Sequence, residues 1–115
     1  MSEVRLAATA RRDFASILKW TRKEFGDGAR LRYQILIEQA LNDLAESPDR
    51  AGSMKRKGIL PADVRLYPLA LSRKRVKGRS VAEPRHIVVY RVQPQLVLIL
   101  RILHDSRDLK LHVGK

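Results

Sequence analysis

The 115-residue chain contains no cysteine, which excludes disulfides, thiolate nucleophiles and cysteine-ligated metal sites. Its three histidines, His86, His104 and His112, have neither the HExxH spacing nor the fourth ligand of a zinc site, so no metal or other cofactor is expected. Long apolar runs are missing as well. None approaches the roughly 18 to 20 residues of a membrane span, and the opening MSEVRLAATARRDF lacks the apolar core of a secretory signal. The expectation is a cytoplasmic chain with no membrane partner. No internal repeat is evident, and 115 residues with 44% hydrophobic content suit one core and one domain, 1–115.

Acidic residues are scarce in one half only. Residues 1–50 hold 9 basic and 8 acidic side chains, whereas residues 51–115 hold 15 and 4, so nearly all of the +12 net charge sits in the second half. A concentrated positive field favours a polyanion or an acidic protein partner, and acts on affinity and association rate more than on fold.

Residues 3–8 (EVRLAA) predict a short strand, after which Thr9 is placed to cap a helix running to Phe25. Ala10, Phe14, Ile17, Leu18, Thr21 and Phe25 form its apolar stripe, and Trp20, the only tryptophan, lies at the margin. That position suits core packing against Tyr33, or an anchor for a partner helix. Gly26-Asp27-Gly28 predicts the turn into a second helix reaching Glu46, with Tyr33, Leu36, Ile37, Ala40, Leu41 and Leu44 at spacings of three and four. Two such helices form an antiparallel hairpin whose apolar faces require a sheet. Residues 49–63 read as a loop and Val64 to Leu71 as a strand, placed at an edge by Pro68. The segment 72–80 (SRKRVKGRS) reads as an exposed loop. Its Arg73, Lys74, Arg75, Lys77 and Arg79 either engage phosphates or keep a solvated loop soluble, and no aromatic residue is interleaved for base stacking.

Residues 83–108 are the most informative segment. Leu96 to Leu103 is apolar on both alternating faces except at Arg101, the pattern of a central strand. His86 to Val92 is its antiparallel partner, joined through Gln93-Pro94-Gln95. A three-residue loop sets Val92 against Leu96, Tyr90 against Leu98, Val88 against Leu100 and His86 against Ile102. Arg85, Arg91 and Arg101 then share the other face with Val89, Val97 and Ile99, and a change of one residue in the loop would regroup them. Arg101 either pairs with Asp105, Asp108 or Glu83, or contacts a partner. His104 is a capping histidine or a binding residue, and the same alternatives hold for His86.

The order strand, helix hairpin, meander, together with VVYRV and ILRILHDSRD, resembles the RelE/ParE superfamily of toxins from type II toxin-antitoxin systems. Pro84 leading into the strand that ends in Tyr90-Arg91, and Leu100, Arg101, Leu103, His104 and Asp108 in the last strand and its exit, resemble the ParE branch. The resemblance implies an α+β domain with a short N-terminal strand, an antiparallel helix hairpin and an antiparallel β-meander, the helices packed on one face of the sheet. The ParE branch implies inhibition of DNA gyrase by protein contact without catalysis. It also implies neutralisation by an acidic ParD-like antitoxin in a hetero-oligomer. Target or antitoxin contacts are then expected from Arg73, Lys74, Arg75, Lys77, Arg79, Arg85, Arg91, Arg101, His104 and Arg107, with Trp20 as the partner anchor.

The RelE branch implies a different outcome, a ribosome-dependent mRNA endoribonuclease. Arg85, His86, Tyr90, Arg101 and His104 would supply its acid, base and phosphate contacts, with Lys55, Arg56 and Lys57 as further cations. Nucleases of that branch usually carry an arginine three residues before the strand tyrosine. This chain has Ile87 there, and an apolar side chain cannot stabilise a phosphorane charge. A basic nucleic-acid-binding module without toxicity is the third reading.

Overall fold

Apolar spacings of three and four set both helices in the computed structural model, which describes residues 2–49, 63–78 and 81–105. Helix α1 (Ala8–Phe25) buries Ala10, Ile17 and Thr21, with Phe14 and Leu18 packed alongside. Helix α2 (Asp27–Glu46) buries Tyr33, Leu36, Ile37, Ala40, Leu41 and Leu44, the six positions its periodicity singles out. Only Gly26 separates the helices. Its φ of 92° is one that side-chain-bearing residues rarely adopt, so a single glycine makes the turn expected to take three residues. Phe25 leaves the apolar stripe at this corner and is 67% exposed.

The sheet has four strands in the order β1-β4-β3-β2: β1 (Glu3–Leu6), β2 (Val64–Pro68), β3 (His86–Gln93) and β4 (Leu96–His104). Strands β2, β3 and β4 form the antiparallel meander, and β1 pairs parallel with β4. Strand β1 is two residues shorter than expected, and Thr9 is not the helix cap; Ala7 holds that position. The reason lies in β4, which runs on past β1 and needs partners for its backbone groups. The start of α1 supplies them. The Ala7 N–H donates to the Ile99 carbonyl at 2.9 Å, the Thr9 hydroxyl to the Leu100 carbonyl at 2.8 Å, and the Ile102 N–H to the Asp13 carboxylate at 2.9 Å.

The β3-β4 register departs from expectation. Gln93 pairs with Leu96, so the turn is the two residues Pro94-Gln95, and Val92 meets Val97, Arg91 meets Leu98 and Tyr90 meets Ile99. The register then steps by one between Val89 and Tyr90, leaving Leu100 as the extra residue on β4; beyond it Val88 meets Ile102 and His86 meets His104. The shorter turn moves Val97 and Ile99 to the helix side, and the bulge restores the alternation. The main core therefore joins Leu36, Ile37 and Leu44 to Val88, Tyr90, Val97, Ile99 and Ile102. A smaller cluster on the other face holds Val64, Leu66, Ile87, Val89 and Leu103. Both helices contribute to the main cluster alone.

Strand β2 lies at the sheet edge, as Pro68 predicts, but ends there rather than at Leu71. Leu69–Arg75 winds into a 3-10 helix, so the first part of 72–80 is not an open loop. Two anchors hold it: Leu69 and Ser72 are fully buried, and the buried carboxylate of Asp43 on α2 accepts hydrogen bonds from the Ser72 hydroxyl at 2.6 Å and Arg75 Nε at 2.7 Å. Among the described residues no helix is long and apolar enough to cross a membrane.

Candidate functional site

The three arginines of the β3-β4 hairpin do not form one cationic cluster. The guanidinium of Arg101 makes a two-point bond to Asp13 of α1, at 2.7 and 3.0 Å, a partner outside the expected set of Asp105, Asp108 and Glu83. The same carboxylate takes the Ile102 N–H, so one aspartate closes the sheet edge and neutralises the arginine. Arg91 pairs with Asp63 at 3.0 Å, and Arg85 forks onto Asp105 at 3.1 to 3.3 Å. Tyr90 is fully buried, its hydroxyl donating to the Pro48 carbonyl at 2.8 Å. Of the five residues expected to act in a nuclease, Tyr90 and Arg101 are thus built into the fold, while Arg85, His86 and His104 come together.

They meet at a groove of about 670 Å³ between the helix-hairpin corner and the end of the sheet where β3 starts and β4 finishes. His86 and His104 face each other across that pair, their rings edge to face at 5.3 Å. Tyr33 of α2 shares a 2.6 Å hydrogen bond with His86 Nδ1, and His104 Nδ1 lies 3.6 Å from Asp105. A polar wall thus runs Tyr33, His86, His104, Asp105, Arg85. Burial pushes the Tyr33 phenol up to about 12, the Asp105 charge adding to the shift and a backbone hydrogen bond at Arg85 opposing it. It is a neutral hydroxyl at physiological pH. The Arg85 guanidinium is raised further still, chiefly by its hydrogen bond to Asp105.

The facing wall is apolar. Trp20, 49% exposed, stacks edge to face on Phe25 at 5.6 Å, so it neither enters the core nor closes against Tyr33. Arg32 reaches the groove from α2. Neither Arg32 nor Phe25 stands out in the sequence as a binding residue, because their convergence depends on the one-residue corner at Gly26. Among the described residues no group of three or more His, Asp or Glu is placed to hold a metal ion.

The family model described as the ParE toxin of type II toxin-antitoxin systems, parDE, matches residues 4–109. The chain belongs to the ParE toxin family. A solved structure of the chromosomal ParDE toxin-antitoxin system from P. aeruginosa is similar in fold, with a TM-score of 0.66 at 15% identity over 90% of this chain and 96% of that one. The E. coli DinJ-YafQ toxin-antitoxin complex scores 0.48 at 17% identity over 91% and 93%. No curated protein sequence matches.

In this ParE-family chain the basic segment is divided by its contacts. Arg75 is bound to Asp43 and to Glu46, the latter at 3.3 Å, and the Asp43 hydrogen bond is the main cause of its raised pKa. Arg73 turns its Nε to the Val81 carbonyl, while Lys74 and Lys77 are exposed. Arg79 and Arg107 lie outside the described residues, as do Lys55, Arg56, Lys57, Asp108 and His112. Asp43, the carboxylate that organises this segment, was readable: it falls three residues after Ala40 and seven after Leu36, on the buried face of α2.

Proposed function

We infer that this ParE-family toxin inhibits DNA gyrase by protein contact, without catalysis, and is held inactive by an acidic ParD-like antitoxin. The observation that carries the reading is how the polar residues of the hairpin are used. Tyr90 and Arg101 are tied to Pro48 and Asp13, and Ile87 packs in the smaller core cluster. The tyrosine and arginine that a RelE-type nuclease would aim at RNA serve packing instead. Contact with the target then falls to exposed cations such as Arg73, Lys74 and Lys77, and the net charge of +12 suits an acidic antitoxin.

One observation favours the RelE-type endoribonuclease as second reading: His86, His104 and Arg85 line one groove. Two imidazoles offer an acid and a base for attack by a ribose 2′-hydroxyl. Against it, the Arg85 fork is occupied by Asp105, and Tyr33 stays protonated up to about pH 12, so it is no base.

Expression of the chain alone separates the two. Gyrase inhibition predicts filamentation, SOS induction and loss of supercoiling by purified gyrase, with messenger RNA intact. Rapid arrest of translation with cleaved messages would overturn this reading and favour the nuclease.

A further inference from the structure

The rim of the groove exposes two aromatic rings side by side, Trp20 and Phe25, at 49% and 67% exposure. Adjacent exposed aromatics on one face are a common anchor of protein contacts. Arg32, half-buried beside them, has no acidic partner among the described residues, and its guanidinium lies over Gly28, where an added Cβ would meet Nη1 at 3.3 Å. Arg85, by contrast, is committed to Asp105. The groove therefore offers apolar anchors beside one guanidinium that has no acidic partner among the described residues. Glu83 on the rim and the nearby Asp105 carboxylate disfavour a dianionic phosphate, and one guanidinium matches one carboxylate.

We propose that this groove seats an acidic segment of the antitoxin, which lays an aromatic or aliphatic side chain on Trp20 and Phe25 and a carboxylate on Arg32. The assignment rests on the toxin-antitoxin reading above and adds the place and chemistry of the contact. The +12 charge draws an acidic partner in; Trp20 and Arg32 hold it, since tryptophan and arginine dominate the energetics of protein interfaces. Bound there, the segment covers the aromatic pair that the toxin alone leaves in water.

The test uses the full chain and, as probe, the product of any reading frame adjoining its gene that encodes a short acidic protein, co-expressed and then purified. Trp20→Ala and Arg32→Glu are compared with the parent for growth arrest when expressed alone, for rescue by the probe, and for affinity by calorimetry; circular dichroism and a melting curve check folding. Both side chains lie outside the core, and Arg32→Gln serves as a milder second variant. The expected result is retained growth arrest with lost rescue, and affinity weakened about thirtyfold by Trp20→Ala and about tenfold by Arg32→Glu. Probe variants selected to rescue Arg32→Glu should carry lysine or arginine in place of an aspartate or glutamate. Affinity unchanged within about twofold would overturn the inference and leave the toxin-antitoxin reading standing. Loss of growth arrest with affinity kept would also overturn it, placing the target in the groove. A parent chain that arrests no growth, or that no neighbouring product neutralises, would remove the toxin-antitoxin reading itself, and this inference with it.

Discussion

Arg101 is the residue on which structural and functional roles are best separated. Its guanidinium makes a two-point bond to Asp13, and the two side chains retain 34% and 16% of their exposure. A fully exposed pair contributes about 0 to 1 kcal/mol, and breaking a buried one costs about 3 to 5 kcal/mol. Arg101→Ala is therefore expected to cost about 2 kcal/mol. Asp13→Ala should cost more, about 3 to 4 kcal/mol, because it also strands the Ile102 N–H, and an unsatisfied buried donor adds about 1 to 3 kcal/mol. Asp13→Asn keeps an acceptor for that N–H and should fall between them. At about 4 °C per kcal/mol for a domain of this size, the melting temperature should drop by roughly 8 °C in Arg101→Ala and by roughly 14 °C in Asp13→Ala. Urea unfolding of both single variants and the double variant yields the coupling between the side chains, expected near 1.5 kcal/mol. The reasoning fails if Arg101→Ala melts within about 2 °C of the parent yet abolishes growth arrest, since Arg101 would then be a contact residue with an incidental carboxylate neighbour.

Three further outcomes follow from the geometry. The Tyr33 phenol has a folded pKa raised from 10.0 to about 12, so the folded state binds its proton more tightly. Its contribution is complete well below pH 10 and is lost as pH rises through 12; the stability difference between parent and Tyr33→Phe should shift by about 2 kcal/mol between pH 9 and 12, and a difference constant over that window would refute the burial argument. Asp43→Ala removes an acceptor shared by Ser72, Arg75 and Gln39 and should cost about 3 kcal/mol, with faster hydrogen exchange across Leu69–Arg75; unchanged exchange there would show that the 3-10 helix does not depend on the carboxylate. Gln95 sits at φ 58° behind Pro94, the pattern of a type II turn, so Gln95→Gly should stabilise by about 0.5 to 1 kcal/mol in urea titrations, and a loss of stability would mean the side chain matters more than the backbone.

The helices were legible because one face of each repeats at the helical period, and the β3-β4 pair because Leu96 to Leu103 is too short for an apolar helix and too apolar for an edge strand. The register was not. It depends on Gln95 adopting a left-handed conformation, which glutamine does not announce, and on a bulge at Leu100 whose carbonyl is satisfied by Thr9, a residue 91 positions away. Arg101 was visible as an anomaly, but its partner Asp13 lies 88 positions earlier. Arg32 was illegible for a different reason. Nothing distinguishes it from other helix-surface arginines until the corner at Gly26 brings it beside Trp20 and Phe25.

The uneven charge distribution takes on a different meaning once the chain is folded. Asp13, Asp43 and Asp49 of the nearly neutral first half meet Arg101, Arg75 and Arg65 of the basic second half, while Asp63 and Asp105 take Arg91 and Arg85 within the second half itself. Three cations of the second half are thus neutralised by carboxylates of the first, and these pairs fix α1, α2 and the 3-10 helix to the meander. Coulomb attraction in these partly buried pairs is screened less than at the surface, so they act on the fold rather than on the distant field. Among the described residues, the cations nearest the 3-10 helix and the groove that are left to a partner are Arg73, Lys74, Lys77 and Arg32. An acidic antitoxin complementary to those positions, and not to the whole basic half, would leave the structural pairs intact when it binds. Binding should accordingly lose strength with salt as a handful of contacts would, at a slope far shallower than a chain of charge +12 engaging a polyanion along its whole surface.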